Sequence, residues 1–131
     1  MFKNTKAFSG FSVDDLQKAK QFYTEVLGLE TADNPMGILE LKIAGGNHIL
    51  VYPKPNHQPA TYTILNFPVP NIDDAVDALT KKGVAFEHYD MGQLKTDPKG
   101  IARSSDPNMG PNIAWFKDPA GNILSVLEQN N

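Results

Sequence analysis

Cysteine is absent from this chain of 131 residues, so disulfide bonds and thiolate chemistry are excluded. No apolar run approaches the roughly 18 residues that a membrane-spanning helix requires, and residues 1–6 lack the apolar core of a signal peptide. Runs of lysine and arginine are also missing, and the net charge is −3. We therefore expect a cytoplasmic protein with no nucleic-acid partner and no membrane partner.

The most informative feature that is present is a weak internal repeat. The run Val-Asp-Asp-Leu at residues 13–16 recurs as Val-Pro-Asn-Ile at residues 69–72. Each copy follows a strand-like segment and begins a short amphipathic helix, and the two helices end near Gly28 and Gly83. Strand-like segments follow both helices. The sequence therefore predicts two copies of one strand–helix–strands unit.

The boundaries of the two copies follow from the turn residues. We predict one module at about residues 5–54, a proline-rich linker at 55–60, and a second module at about 61–129, all within one domain covering 1–131. Predicted strands fall at 6–13, 38–43, 49–52, 61–69, 84–89, 113–116 and 123–127. Residues 90–112 are polar and form a long loop, with one short strand near 101–103.

Two motifs carry a resemblance to a known family. The opening Val-Asp-Asp-Leu, Phe-Tyr and Leu-Gly-Leu elements within residues 13–29, and the closing Asp-Pro-Ala-Gly-Asn at 118–122, resemble the vicinal oxygen chelate superfamily. That superfamily includes glyoxalases, extradiol dioxygenases, and bleomycin- and fosfomycin-resistance proteins. The resemblance implies an α+β fold of two βαβββ modules, whose cupped mixed sheets surround a cavity for a small molecule. It also implies a homodimer.

The same resemblance implies four positions for the ligands of a divalent metal ion. In this chain those positions hold Phe8, Val51, Ile64 and Ser125. Three of these side chains are hydrocarbon, and one serine is a poor ligand, whereas a catalytic site needs about three histidine or carboxylate ligands. We therefore expect no metal and no cofactor. The cluster of His48, Glu40 and His88 stays open as a non-standard alternative.

Strand alternation predicts which side chains face the cavity. Trp115 could stack on a planar ligand, Asn66 could orient one, and Arg103 could bind a carboxylate or phosphate. The alternatives are core or dimer packing for Trp115, a hydrogen bond to neighbouring backbone for Asn66, and solvent exposure for Arg103. Leu50 and Tyr52 are expected on the helix side. The predicted ligand-binding residues are Phe8, Gly10, Ser12, Val51, Ile64, Asn66, Arg103, Trp115 and Ser125.

Three functions are compatible with these observations. The first is metal-free binding of a partly apolar or aromatic small molecule, with sequestration as in the bleomycin-resistance branch. The second is a glyoxalase-like lyase or isomerase, or a dioxygenase, with a relocated metal or an acid–base site. The third is an interaction module with filled cavities. Convergence of two or more of His48, Glu40, His88 and Glu87 would favour the enzyme.

Overall fold

The chain divides into two compact units, Met1–Pro59 and Ala60–Asn131. The computed structural model describes residues 1–106, 108 and 110–129. The division falls inside the predicted proline-rich linker at 55–60, because prolines lack the N–H that would continue a strand ladder. Pro107 and Met109, which belong to the predicted loop at 90–112, lie outside the described residues.

The first unit is a βαβββ module. It contains β1 (Gly10–Val13), α1 (Leu16–Gln21), a π-helical turn (Phe22–Val26), β2 (Thr31–Asn34), β3 (Ile38–Leu41) and β4 (Ile49–Pro53). The strand order is β1-β4-β3-β2, with β1 parallel to β4 and the other pairs antiparallel. The strand β1 is therefore shorter than the predicted strand at 6–13. Its pairing with β4 begins at Gly10, and the Ser9 carbonyl just before it accepts a hydrogen bond from the Leu50 N–H.

Local capping explains where the first helix begins and ends. The side chain of Asp15 accepts a hydrogen bond from the backbone N–H of Lys18, so Asp15 is the N-cap. The helix then widens into the π-helical turn, which buries Tyr23, and Gly28 ends it with a φ of 72°.

The second unit repeats the same order with an insertion. It contains β5 (Thr63–Val69), α2 (Ile72–Lys81), β6 (Asp90–Met91), β7 (Leu94–Lys95), β8 (Ile101–Ala102), β9 (Ile113–Lys117) and β10 (Ile123–Glu128). The main sheet has the order β5-β10-β9-β8, and β6 pairs only with β7 as a separate hairpin. Both units therefore give the predicted α+β fold, in which each four-stranded mixed sheet is accompanied by one α-helix.

One predicted strand of the second unit is not formed. Residues 84–89 contribute only an isolated bridge between Phe86 and Phe116 and one bond from the Glu87 N–H to the Trp115 carbonyl. The chain leaves the sheet at Tyr89, whose backbone N–H and carbonyl both bond to Thr96. Pairing within this inserted hairpin therefore replaces pairing with β9.

Each unit buries an apolar core between its sheet and its helix. Asn71 caps α2 by accepting from the Asp74 N–H, and Glu128 of β10 accepts from the Ile72 N–H. The closing 118–122 turn is held by the buried Asp118 carboxylate, which accepts from the backbone of Asn122. Among the described residues, no helix is long and apolar enough to cross a membrane.

Candidate functional site

The open face of the first sheet is defined by strand register. Gly10 and Glu40 both pair with Leu50, so these three residues lie on one face. Val51 pairs with Phe11 and with Leu39 on the opposite face, where Val51 and Leu39 are fully buried.

Two placements on this sheet correct the predictions. Val51 was expected to face the cavity, and Leu50 and Tyr52 were expected under the helix. The structure reverses both, because the observed ladder is one residue out of phase with the predicted alternation, and a shift of one residue exchanges the faces. Tyr52, which pairs with Ser12 on the open face, is 41% exposed.

A groove of about 510 Å³ lies on this open face, at the end where β4 begins. Its most distinctive polar feature is a hydrogen-bonded pair, in which Nδ1 of His48 lies 3.1 Å from Oε1 of Glu40. Both side chains reach solvent, with exposed fractions of 48% for His48 and 27% for Glu40. The lining residues are Lys6, Phe8, Asn34, Glu40, Gly46, Asn47, His48 and Leu50.

A second histidine joins the same face from the linker. The hydroxyl of Ser12 and Nδ1 of His57 are hydrogen-bonded at 2.6 Å. His57 lies within the predicted proline-rich linker at 55–60, to which no site residue was assigned. No sequence signal indicates this contact, since it joins residues 45 positions apart in the chain.

The open face of the second sheet carries neutral polar groups. Ser125 pairs with Asn66 on one side and with Trp115 on the other, so the three share a face as predicted. The Ser125 hydroxyl donates to Oδ1 of Asn66, and the Trp115 indole N–H donates to the Thr63 hydroxyl at 3.1 Å. Ser125 is fully buried, and Trp115 is half-buried.

Two members of this face were not predicted. Thr63 receives the indole bond, and the ring of Tyr89 meets the ring of Trp115 edge-on at a centroid distance of 5.5 Å. Thr63 could have been found by strand alternation from Asn66 only if the β-bulge were known. That bulge makes Ile64 the extra residue of β5, because Ile123 pairs with Thr63 and Leu124 pairs with Leu65.

Arg103 does not lie on an open face, which corrects the prediction that it could bind a ligand anion there. Its guanidinium donates to the carboxylate of Asp73 on α2 at 2.8 and 2.9 Å, and to Asp97 at 3.1 Å. Lys99 also bonds to Asp73 at 2.9 Å. Hydrogen bonds from Arg103 and then Lys99 hold the pKa of Asp73 well below its ordinary value. Arg103 therefore ties its loop to the helix.

The remaining titratable candidates belong to different units, with His48 and Glu40 in the first and Glu87 and His88 in the second. His88 is exposed in the second unit, and Glu87 of that unit lies 3.4 Å from the ammonium of Lys117. His48 and Glu40, both of the first unit, lie within hydrogen-bond reach of each other.

The donor set at the implied metal positions does not fit a divalent ion. Phe8 and Ile64 are hydrocarbon, Val51 faces the helix side, and the Ser125 hydroxyl is bonded to Asn66. Within residues 1–106, 108 and 110–129, no group of three or more histidine, cysteine, aspartate or glutamate side chains converges as a metal site would require.

Comparison with known proteins identifies the fold. A family model described as "Glyoxalase/Bleomycin resistance protein/Dioxygenase superfamily" matches residues 8–126. Solved structures with similar folds include TnmS3, an antibiotic-binding protein from Streptomyces sp. CB03234, which is 23% identical with a TM-score of 0.69, and 99% of each chain is covered. A superfamily member from Sphaerobacter thermophilus DSM 20745 is 23% identical with a TM-score of 0.70, covering 98% of this chain and 100% of that one. No curated protein matches the chain in sequence.

Proposed function

We propose that this chain, which belongs to the Glyoxalase/Bleomycin resistance protein/Dioxygenase superfamily, binds a partly apolar or aromatic small molecule without a metal ion. The observation that carries the proposal is the set of residues at the four implied metal positions. Aromatic, aliphatic and neutral polar groups occupy the positions at which the resemblance implies metal ligands. Concave surfaces of this composition are typical of small-molecule sites.

Two further observations support a binding role. The first unit offers a groove of about 510 Å³, which is within the size range of ligand pockets, on an open face. The second unit offers the indole of Trp115, whose N–H is held by Thr63 so that the ring has a fixed position. TnmS3, which shares the fold, is described as an antibiotic-binding protein. Sequestration of a toxic small molecule is the corresponding function proposed for this chain.

Elemental analysis tests the metal-free part of the proposal. The purified protein is incubated with Ni, Zn, Fe and Mn, freed of excess ion, and assayed for bound metal. We expect less than about 0.1 ion per chain, whereas a catalytic centre would hold about one. A ratio near one would contradict the proposal and direct attention to His48 and Glu40.

Ligand binding is tested separately with anilinonaphthalene sulfonate, an anionic probe with apolar aromatic rings. We expect saturable binding to the native protein, and weaker binding after Trp115→Ala or Phe8→Ala, since these are aromatic side chains of the proposed faces. Tyr62→Ala removes another exposed aromatic ring that is outside both sites, and serves as the matched control. A signal that rises linearly with probe concentration in all four proteins would contradict a binding site.

A second candidate function is acid–base catalysis, and the His48–Glu40 pair is the observation that favours it. A carboxylate that accepts from one imidazole nitrogen leaves the other nitrogen able to remove a proton. Exchange of the C–H hydrogens of hydroxyacetone with solvent deuterium would reveal such a base. Exchange that is faster than in buffer and lost in His48→Gln would support the enzyme.

We also propose a homodimer, as the resemblance implies. In each unit the first strand, β1 or β5, lies at one edge of its sheet, and edge strands offer unpaired backbone groups to a partner. Light scattering during size-exclusion chromatography tests this, and a mass equal to one chain at high concentration would contradict it.

A further inference from the structure

The groove of the first unit has a specific chemical character beyond its size. We propose that it selects a planar ligand carrying an acidic hydroxyl, such as a phenol or an enol, which donates a hydrogen bond to Nε2 of His48. This inference rests on the proposed function, because it names the ligand class of one of its sites. It depends on the tautomer of one histidine, on the shape of the groove floor, and on the balance of hydrogen-bonding groups.

The tautomer of His48 follows from its partner. Nδ1 lies 3.1 Å from a carboxylate oxygen of Glu40, and a carboxylate can only accept a hydrogen bond. The proton of the neutral imidazole therefore lies on Nδ1, and Nε2 carries the lone pair. An imidazole oriented in this way is an acceptor for an O–H donor.

The floor of the groove favours a flat apolar ring. Phe8 is 66% exposed and Leu50 is half-buried, so both present hydrocarbon to the groove. Gly10, which pairs with Leu50, adds no side chain beside it, and a Cβ there would lie 3.1 Å from the Leu50 carbonyl oxygen. A planar ring can therefore lie against this floor and gain stacking with Phe8.

The polar rim supplies both acceptors and donors near the imidazole. The Asn47 amide nitrogen donates to the carbonyl of Ala7 at 2.6 Å, which uses one of its two N–H groups to hold the loop. Glu40 offers a second carboxylate oxygen in addition to the one that His48 uses. The rim also holds donors, namely the ammonium of Lys6 and the second N–H of Asn47, so a ligand hydroxyl is distinguished from an ether specifically at Nε2 of His48.

Two probes that differ only at the oxygen test the proposal. Umbelliferone is a planar bicyclic phenol, and its O-methyl ether has the same ring without the donor. We expect the native protein to bind umbelliferone about threefold to tenfold more tightly than the ether, which is the range that one net hydrogen bond supplies. Affinities are measured by titration near pH 7, where most of the umbelliferone keeps its hydroxyl proton and an ordinary imidazole is mostly neutral.

The variants assign that preference to one atom. In His48→Phe we expect the two probes to bind equally, because the acceptor is lost while the groove keeps an aromatic ring. His48→Gln keeps a side-chain acceptor and should keep part of the preference. His88→Phe makes the same substitution at an exposed histidine of the second unit and should leave the preference intact.

Three outcomes would overturn the inference. These are equal binding of both probes to the native protein, a preference that persists in His48→Phe, or no saturable binding of either probe. The proposed function fails differently, by bound metal near one ion per chain or by the absence of saturable binding of anilinonaphthalene sulfonate. Equal binding of umbelliferone and its O-methyl ether would thus contradict the proposed selectivity for a phenol without contradicting metal-free binding.

Discussion

The two units share one strand order, yet their open faces differ in chemistry. The first unit presents a hydrogen-bonded pair, His48 with Glu40, beside the exposed ring of Phe8. The second presents neutral groups that bond to each other, including Ser125 with Asn66. The shared topology therefore determines where an open face lies, and the side chains alone determine what that face can bind.

The helix sides of the units also differ. In the first unit the helix is six residues long and continues as a π-helical turn. In the second it has ten residues and is tied to the following loop by Asp73, Arg103 and Lys99. The Asp73, Arg103 and Lys99 cluster of the second unit thus stabilises its own loop and helix, whereas the His48–Glu40 hydrogen bond of the first unit lies beside a groove.

The largest expected effect on stability is a difference between a core residue of the second unit and an open-face residue of the first. Phe116 is fully buried and meets the ring of Phe86 at 5.5 Å, whereas Phe8 is 66% exposed. Phe116→Ala should lower the free energy of unfolding by about 3–5 kcal/mol, since it creates a cavity. Phe8→Ala should change it by no more than about 0.5 kcal/mol. Urea unfolding followed by circular dichroism measures both, and equal losses would contradict this contrast.

The next effect tests how tightly the second unit's loop is packed. Gly100 is buried with a φ of 92°, and a Cβ there would lie 2.8 Å from the Cβ of Phe86. Gly92 also has a positive φ, 67°, but a Cβ there would meet open space. Gly92→Ala should cost about 1–2 kcal/mol from backbone strain alone. Gly100→Ala should cost about 1–3 kcal/mol more because of the clash. Equal midpoints in urea would show that the loop is not packed as described.

A smaller effect tests the neutral network of the second open face. Thr63→Val keeps the shape of the side chain but removes the acceptor for the Trp115 indole N–H. We expect a loss of about 0.5–1.5 kcal/mol in the free energy of unfolding and a shift in tryptophan emission. Thr63→Ser keeps the hydroxyl and should retain the emission of the native protein. An unchanged spectrum in Thr63→Val would contradict the bond.

The smallest effect concerns the charged tie on the second helix. Hydrogen bonds from Arg103 and Lys99 lower the pKa of Asp73, so its carboxylate stabilises the folded state above the ordinary aspartate pKa of about 3.9. That contribution is lost as the pH falls from there through the lowered folded-state pKa. The difference in urea midpoint between native protein and Asp73→Asn should therefore be steady from about pH 7 to 5 and shrink below about pH 4.

Solvent screening keeps that last effect small, because the Asp73 side chain is 42% exposed. Added salt should reduce it further. Asp90→Asn, on the β6–β7 hairpin, removes one negative charge outside the cluster and controls for net charge. A midpoint difference for Asp73→Asn that grows as the pH falls would contradict the assigned direction.

Local sequence patterns predicted much of the fold, and their failures have identifiable causes. The two helices begin in the repeated runs at 13–16 and 69–72 as predicted, and Asp15 and Asn71 cap them because a short polar side chain can accept from the first turn. The face predictions held for Ser125 and Trp115 but not for Val51. Alternation predicts that successive side chains of a strand face opposite sides of the sheet, but only the pairing with neighbouring strands decides which side each one faces.

What the sequence by itself determined is the repeated βαβββ pattern, because hydrophobic periodicity, caps and turn glycines act within a few residues of each other. The sequence alone also showed that three of the four implied metal positions hold hydrocarbon side chains. Only the tertiary structure decided that Arg103 serves Asp73 and that His48 meets Glu40. Those contacts depend on strand register and loop path, which are set by packing over the whole unit.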